Sequence, residues 1–299
     1  MRKTFILITL FYCCFLPFSS QAQNQSSSSN KNSKFDFTLR GGVSKQNVGF
    51  DTPAAHSVLN WDADNIDVGA DLRWNNFYDK ASAIFEYSYG KVKGGKSSDD
   101  DVKNGFDTYS IHGTEGRSNN YKLTLDHKVF EENGFSLFPV AGAFYHQAKF
   151  TSTNGHGIGS GYSGFMSFEG EGAGQQTDSK FWGIIAGGKV EFKTKNTKNL
   201  LEIDALIPVD YKSYQVWYGR DPDLCWKLHS NKGGSGFRVK IEHGYKVSES
   251  FLKYLKLYAY YEKVKMNGLT ETDEGEVLDS IIDGSAWYEV GGAGIALEF

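Results

Sequence analysis

Counting back from Phe299, alternate residues of the final segment are apolar or small, through Leu297, Ile295, Ala293 and Gly291, and Trp287 stands at its far end. Successive side chains of a β-strand point to opposite faces. A period of two bounded by aromatics is what a strand needs when one face meets lipid and the other a barrel lumen. The pattern predicts a β-barrel in the outer membrane of a Gram-negative cell.

The other end of the chain fits export. Arg2 and Lys3 precede an apolar run from Phe5 to Phe18, and Ser20 and Ala22 supply the small residues a signal peptidase accepts, so residues 1–22 read as a cleaved signal peptide. Cys13 and Cys14 lack the small residues that precede a lipidated cysteine. Once the leader is removed, Cys225 is the one thiol left, which excludes an intramolecular disulfide. Residues 23–34 are rich in Ser and Asn and read as a flexible polar lead-in. No later stretch has the apolar length of a membrane helix, and a mean hydropathy of −0.45 would ordinarily point to a soluble protein. A barrel escapes that test because only alternate residues meet lipid. A formal charge of −4 without a basic block gives no footprint for nucleic acid.

Between Phe35 and Phe299 ten alternating segments follow, with cores at Phe35 to Val48, Ile66 to Trp74, Ala81 to Val92, Asn120 to Phe130, Phe135 to Phe150, Phe181 to Phe192, Leu200 to Tyr211, Gly236 to Val247, Tyr254 to Met266 and Trp287 to Phe299. Ile66, Val68, Leu72 and Trp74 alternate with Asp67, Asp71 and Arg73; Leu201, Ile203 and Ile207 alternate with Glu202 and Asp204. A soluble sandwich shows the same alternation. The connections separate the two folds, because short links (75–79, 131–134, 193–199, 248–253) alternate strictly with long polar ones (49–64, 93–116, 151–178, 212–235, 267–286). Short periplasmic turns and long external loops mark outer-membrane barrels. The expected fold is therefore an all-β, ten-stranded antiparallel transmembrane barrel over residues 35–299.

Ten strands enclose a narrow interior, here expected to hold Asp67, Asp71, Arg73, Glu86, Lys122, Asp126, Glu202, Asp204, Asp210, Arg238, Lys240 and Glu242. Opposite charges so crowded should pair and fill the lumen, which ranks a transport barrel last. No Cys/His spacing suits a metal, and no phosphate loop, nucleophile elbow or haem motif is present, so neither metal nor cofactor is expected. The Gly-rich stretch at 157–161 is loop.

Length, strand number and loop alternation resemble the omptin family, ten-stranded outer-membrane endopeptidases with an active site at the extracellular rim. Gly94-Gly95-Lys96-Ser97-Ser98-Asp99-Asp100-Asp101 is similar to an omptin segment that carries one catalytic acidic pair, which implies Asp99 and Asp101 as carboxylates that position a water. Two carboxylates at i and i+2 of an extended segment share a face. Read without the family, the same residues form an acidic, solvated loop tip. The family's second half is an Asp-x-His pair acting as general base. The matching region, from Tyr211 to His229, has no Asp-x-His and offers Asp221, Asp223 and His229 instead. Tyr145, Gln147 and Lys149 are similar to an omptin stretch that meets lipopolysaccharide, which implies outer-membrane lipid as a partner; the alternative is that Lys149 only snorkels to headgroups. The implied function is an omptin-like surface protease acting on peptide or host-surface protein. The alternative is a non-enzymatic adhesive or structural barrel, favoured by the missing Asp-x-His.

Overall fold

Alternating residues leave a strand's backbone groups to be satisfied sideways, and within a membrane only a closed ring of strands does so completely. The computed structural model describes residues 35–52, 57–78, 80–103, 106–159, 175–217, 224–248, 251–273 and 284–299. The expected leader at 1–22 and lead-in at 23–34 lie outside them. In chain order the strands are β1 (Phe35–Thr52), β2 (Ser57–Tyr78), β3 (Ala81–Lys103), β4 (Phe106–His127), β5 (Phe130–Glu132), β6 (Phe135–Gly159), β7 (Gln175–Lys193), β8 (Thr197–Trp217), β9 (Leu224–Ser230), β10 (Gly234–Lys246), β11 (Tyr254–Asn267), β12 (Thr270–Asp273) and β13 (Ser285–Glu298). Ten of them close an antiparallel ring in the order β1, β2, β3, β4, β6, β7, β8, β10, β11, β13 and back to β1.

Each expected segment falls on one of these ten strands, but the strands run well beyond the expected ends. The segment from Asn120 to Phe130 is broken after His127, and Phe130 begins the short β5, joined to β6 by Asn133 and Gly134 at φ +48° and +81°. Positive φ at both positions is the two-residue hairpin turn that an Asn-Gly pair favours. The connections expected at 49–64 and 93–116 are largely strand: β1 and β2 pair out to Thr52 and Ser57, β3 and β4 to Lys103 and Phe106. The bilayer limits the height of the apolar band, not the length of the ladder, so polar hairpins continue as sheet above it. On the outer side β8 passes from β10 to β9, and β12 adds to β9.

The apolar face is outside. Ile203 and Ile241 are 54% and 52% exposed, as lipid-facing residues must be. Phe35 stacks near Trp74 at 5.8 Å and Phe251 meets Phe299 edge-on at 5.1 Å, which marks an aromatic girdle at the short-turn rim. By the rule for outer-membrane barrels this rim faces the periplasm.

The lumen has two storeys. The periplasmic half is ionic: Arg238 donates to Glu202 at 2.9 Å and to Glu86 at 3.0 Å, Lys240 and Lys256 donate to Glu242 at 2.9 and 3.2 Å, and Asp126 takes Arg73 and Lys189. The outer half is apolar, with Phe50, Trp61, Phe150, Phe181, Tyr211 and Tyr288 all buried. Between them an internal cavity of about 40 Å³, lined among others by Arg40, Glu86, Lys122 and Arg238, has room for a few waters only.

One expected lumen residue is not there. Trp182 pairs with Asp210 but the next residue, Gly183, pairs with Pro208, so Val209 is an extra residue on β8. A bulge of this kind shifts the alternation by one. Below it Glu202, Asp204 and Leu206 point inward; above it Tyr211, Ser213 and Gln215 do, and Asp210 and Lys212 are turned outward.

Candidate functional site

The outer extension of β3 carries Asp99 and Asp101. Asp99 stands opposite Leu59 of β2 and Ser110 of β4, and Asp101 opposite Ser57 and Thr108, so the segment expected as a loop tip is part of a β-wall. Their side chains lie outside the described residues, as do Asp221 and Asp223 entirely. His229 is on β9, five strands along the sheet from β3 in the order β3, β4, β6, β7, β8, β9.

His229 has a carboxylate partner that the spacing of the sequence conceals. Its Nε2 lies 2.8 Å from Asp210 Oδ1, with side-chain exposures of 40% and 19%. The pair forms because β9 runs antiparallel to β8 with His229 opposite Lys212, one step from the bulge that turned Asp210 outward. Leu228 and Ser230, on either side of His229, are buried on the inner face. Asp210 and His229 therefore make an oriented acid–imidazole pair on the outside of the wall, with Lys212 Nζ 3.8 Å from the same carboxylate.

The inner face at this height is of another kind. Thr177, Ser179, Ser213 and Gln215 form a ladder of buried hydrogen bonds beside Tyr211, and Ser97 pairs with Ser152 at 2.6 Å. Among the described residues nothing ionisable except tyrosine faces inward above His146. His146 is buried, 2.9 Å from Gln46 Nε2, bonded through Nδ1 to Asn120 and stacked on Tyr288 at 4.0 Å. Protonation at Nδ1 satisfies both ring nitrogens, with Gln46 donating to Nε2 and Nδ1 donating to Asn120. This histidine is a packed core residue.

The outer wall from β3 to β9 is ordered in rows. Tyr87, Tyr121, Tyr145, Trp182 and Asp210 are in register, with ring centroids 5.0 Å apart for Tyr87 and Tyr121 and 6.0 Å for Tyr121 and Tyr145. One step outward lie Asn119, Gln147, Lys180, Lys212 and His229. The next row runs through Lys91, Arg117, Lys149 and Asp178. Gln147 donates to Asp178 at 2.7 Å, and Lys180 is 3.4 Å from the same residue. Tyr145, Gln147 and Lys149 thus occupy three successive rows of a patch in which aromatics give way to cations, the order in which a bilayer gives way from acyl chains to phosphates.

Over 92% of this chain and 99% of the other, the structure superposes on the outer membrane protease OmpT from Escherichia coli with a TM-score of 0.76 at 14% sequence identity. The translocator domain of the autotransporter NalP from Neisseria meningitidis follows at a TM-score of 0.38 and 8% identity, covering 100% of this chain and 98% of that one. A major outer membrane protein from Thermus thermophilus gives 0.37 and 9%, covering 89% and 99%. The fold is that of an outer-membrane barrel. No protein-family model matches the chain, and no curated protein matches it in sequence.

Sequence reasoning missed Asp210 as the partner of His229, because a single bulged residue reverses the parity that places Asp210 in the lumen. It also missed Arg117, Lys180 and Lys212 beside Lys149. Outward parity carried across neighbouring hairpins would have found Arg117 and Lys180, since both lie in strands that alternate without interruption from their membrane segments.

Proposed function

We propose that this chain is a Gram-negative outer-membrane surface protein that uses an omptin-like barrel as a closed pedestal and acts by binding at its outer wall and external hairpins, without hydrolysis. The observation that carries this reading is the inward face of the outer storey. It is built of apolar and hydroxyl side chains among the described residues, while the described Asp–His pair, Asp210 with His229, faces outward. Hydrolysis between two walls needs an acid pair and a base that reach one water from opposite sides. Lipopolysaccharide is the partner proposed for the outer wall, since Arg117, Lys149, Lys180 and Lys212 would meet its phosphates by charge-assisted hydrogen bonds above a tyrosine shelf.

A second reading keeps a surface endopeptidase with Asp99 and Asp101 as its water-positioning pair and Asp221, Asp223 or His229 in support. It draws on the overall likeness to a protease and on the position of the 94–101 segment in the outer wall. Refolded protein with added lipopolysaccharide separates the two. Binding alone predicts no cleavage of dibasic peptides, together with lipopolysaccharide retention that weakens in Lys149→Gln/Lys180→Gln. Cleavage abolished by Asp99→Ala would establish the protease reading.

A further inference from the structure

One part of the lipid-facing belt is dented. Pro139, Gly188 and Ile203 lie in register across β6, β7 and β8, and the row above is Ala141, Ala186 and Ala205. Gly188 offers no side chain where its neighbours are large, and the wall sinks there into a notch of about 420 Å³ walled by Val129, Leu137, Pro139, Val190, Leu201 and Ile203. Small-ligand sites span about 300–1,000 Å³. The notch opens outward within the apolar belt, so its surroundings are acyl chains.

Toward the periplasmic rim the wall changes in two steps. Phe130 and Phe135 meet edge-on at 6.1 Å, and Phe192 stands opposite Phe135. Beyond these rings come Lys128, Lys193 and Lys195. Lys128 is 2.9 Å from Glu131 and Lys193 is 3.2 Å from Glu191, yet Lys193 keeps half its surface in solvent and Lys195 is exposed. Apolar slot, aromatic shelf and cations follow one another down the wall in the order of a phospholipid's acyl chain, glycerol and phosphate.

We propose that this notch seats one acyl chain of an anionic phospholipid from the periplasmic leaflet, with its phosphate held at Lys193 and Lys128. A second barrel is a poorer occupant, because two convex walls touch along a line and leave a concavity empty. Lysines at the mouth complement a phosphate, and a flexible chain fills a slot that no rigid wall enters. The seat is independent of whether the outer wall binds or hydrolyses.

Gly188→Leu tests the slot directly. A Cβ at that position would meet only Phe138 O at 3.8 Å, so the backbone accepts a side chain. Ala186→Leu, in the adjacent row, is the second filling variant, and heat-modifiable gel migration checks that both are folded. Full-length mature protein is reconstituted in vesicles of phosphatidylglycerol and phosphatidylethanolamine in equal parts, extracted in mild detergent and weighed by native mass spectrometry. Wild type should retain one phosphatidylglycerol, and the filling variants should lower the retained fraction about tenfold, which corresponds to about 1.4 kcal/mol. Lys128→Gln/Lys193→Gln should keep a bound lipid but lose the headgroup preference. Equal retention by wild type and filled variants overturns the seat. A dimer that Gly188→Leu abolishes overturns it in favour of a second copy of the chain, and a headgroup preference untouched by the lysine changes overturns the phosphate contact.

Discussion

Arg238 illustrates what a charge does inside this lumen. Its guanidinium is buried with Glu202 at 2.9 Å, Glu86 at 3.0 Å and Asp204 at 3.5 Å, so each group is tolerable only because the others are present. Removing one partner from a buried network leaves uncompensated charge and costs about 3–5 kcal/mol. Arg238→Ala should lower the urea midpoint of the refolded barrel accordingly, and adding Glu86→Gln and Glu202→Gln should recover most of the loss. The pair between Asp210 and His229 is the counterexample at the same scale. It is solvated, exposed pairs contribute about 0–1 kcal/mol, and Asp210→Ala should leave the same midpoint almost unmoved. A variant that fell as far as Arg238→Ala would mean that the outer wall is held together by this pair.

At the scale of the strand, β3 shows how a ladder absorbs an irregularity. Lys93 is unpaired against β2 between Val92 and Gly94, and Gly95 follows at φ +151°. A Cβ on Gly95 would collide with the carbonyl oxygen of Asp62, whereas one on Gly94 meets nothing within 4 Å. Backbone strain of that kind is worth about 1–3 kcal/mol, so Gly95→Ala should destabilise by at least that amount while Gly94→Ala is neutral, as read by urea unfolding. The comparison shows what the sequence discloses. Strand number, the outward face of Ile203 and Ile241, and the pairing of lumen charges follow from the period of two, because lipid on one side and ions on the other impose it on every membrane segment. The outer ends of the strands do not follow. Above the bilayer the hairpins are polar on the outside and apolar within, as at Phe50, Leu59 and Trp61, and without lipid as a reference they read as loops. The bulge at Val209 is invisible for the same reason, since a single inserted residue changes no composition yet reverses every side chain after it. His229 is visible as a candidate, but its partner is hidden by a parity that has already turned over.

For the molecule as a whole, the two storeys of the lumen decide between pedestal and pore. Pores with aqueous channels generally need about sixteen strands, and this ring of ten is filled along its described length, by ion pairs below and by rings above. The two fillings differ in what their removal does. Trp61 is fully buried in the outer storey, so Trp61→Ala should cost about 3–5 kcal/mol by leaving a cavity in packed core. It should not open a path, because Arg238, Glu86, Glu202 and Lys240 still span the lumen beneath it, and a passing ion would have to displace charges that already satisfy one another. Planar bilayers containing either wild type or Trp61→Ala should therefore show no steady conductance of nanosiemens size. Steady conductance in the wild type would assign the barrel to transport. Conductance confined to Trp61→Ala would place the seal in the outer storey alone and reduce the ionic layer to a lining.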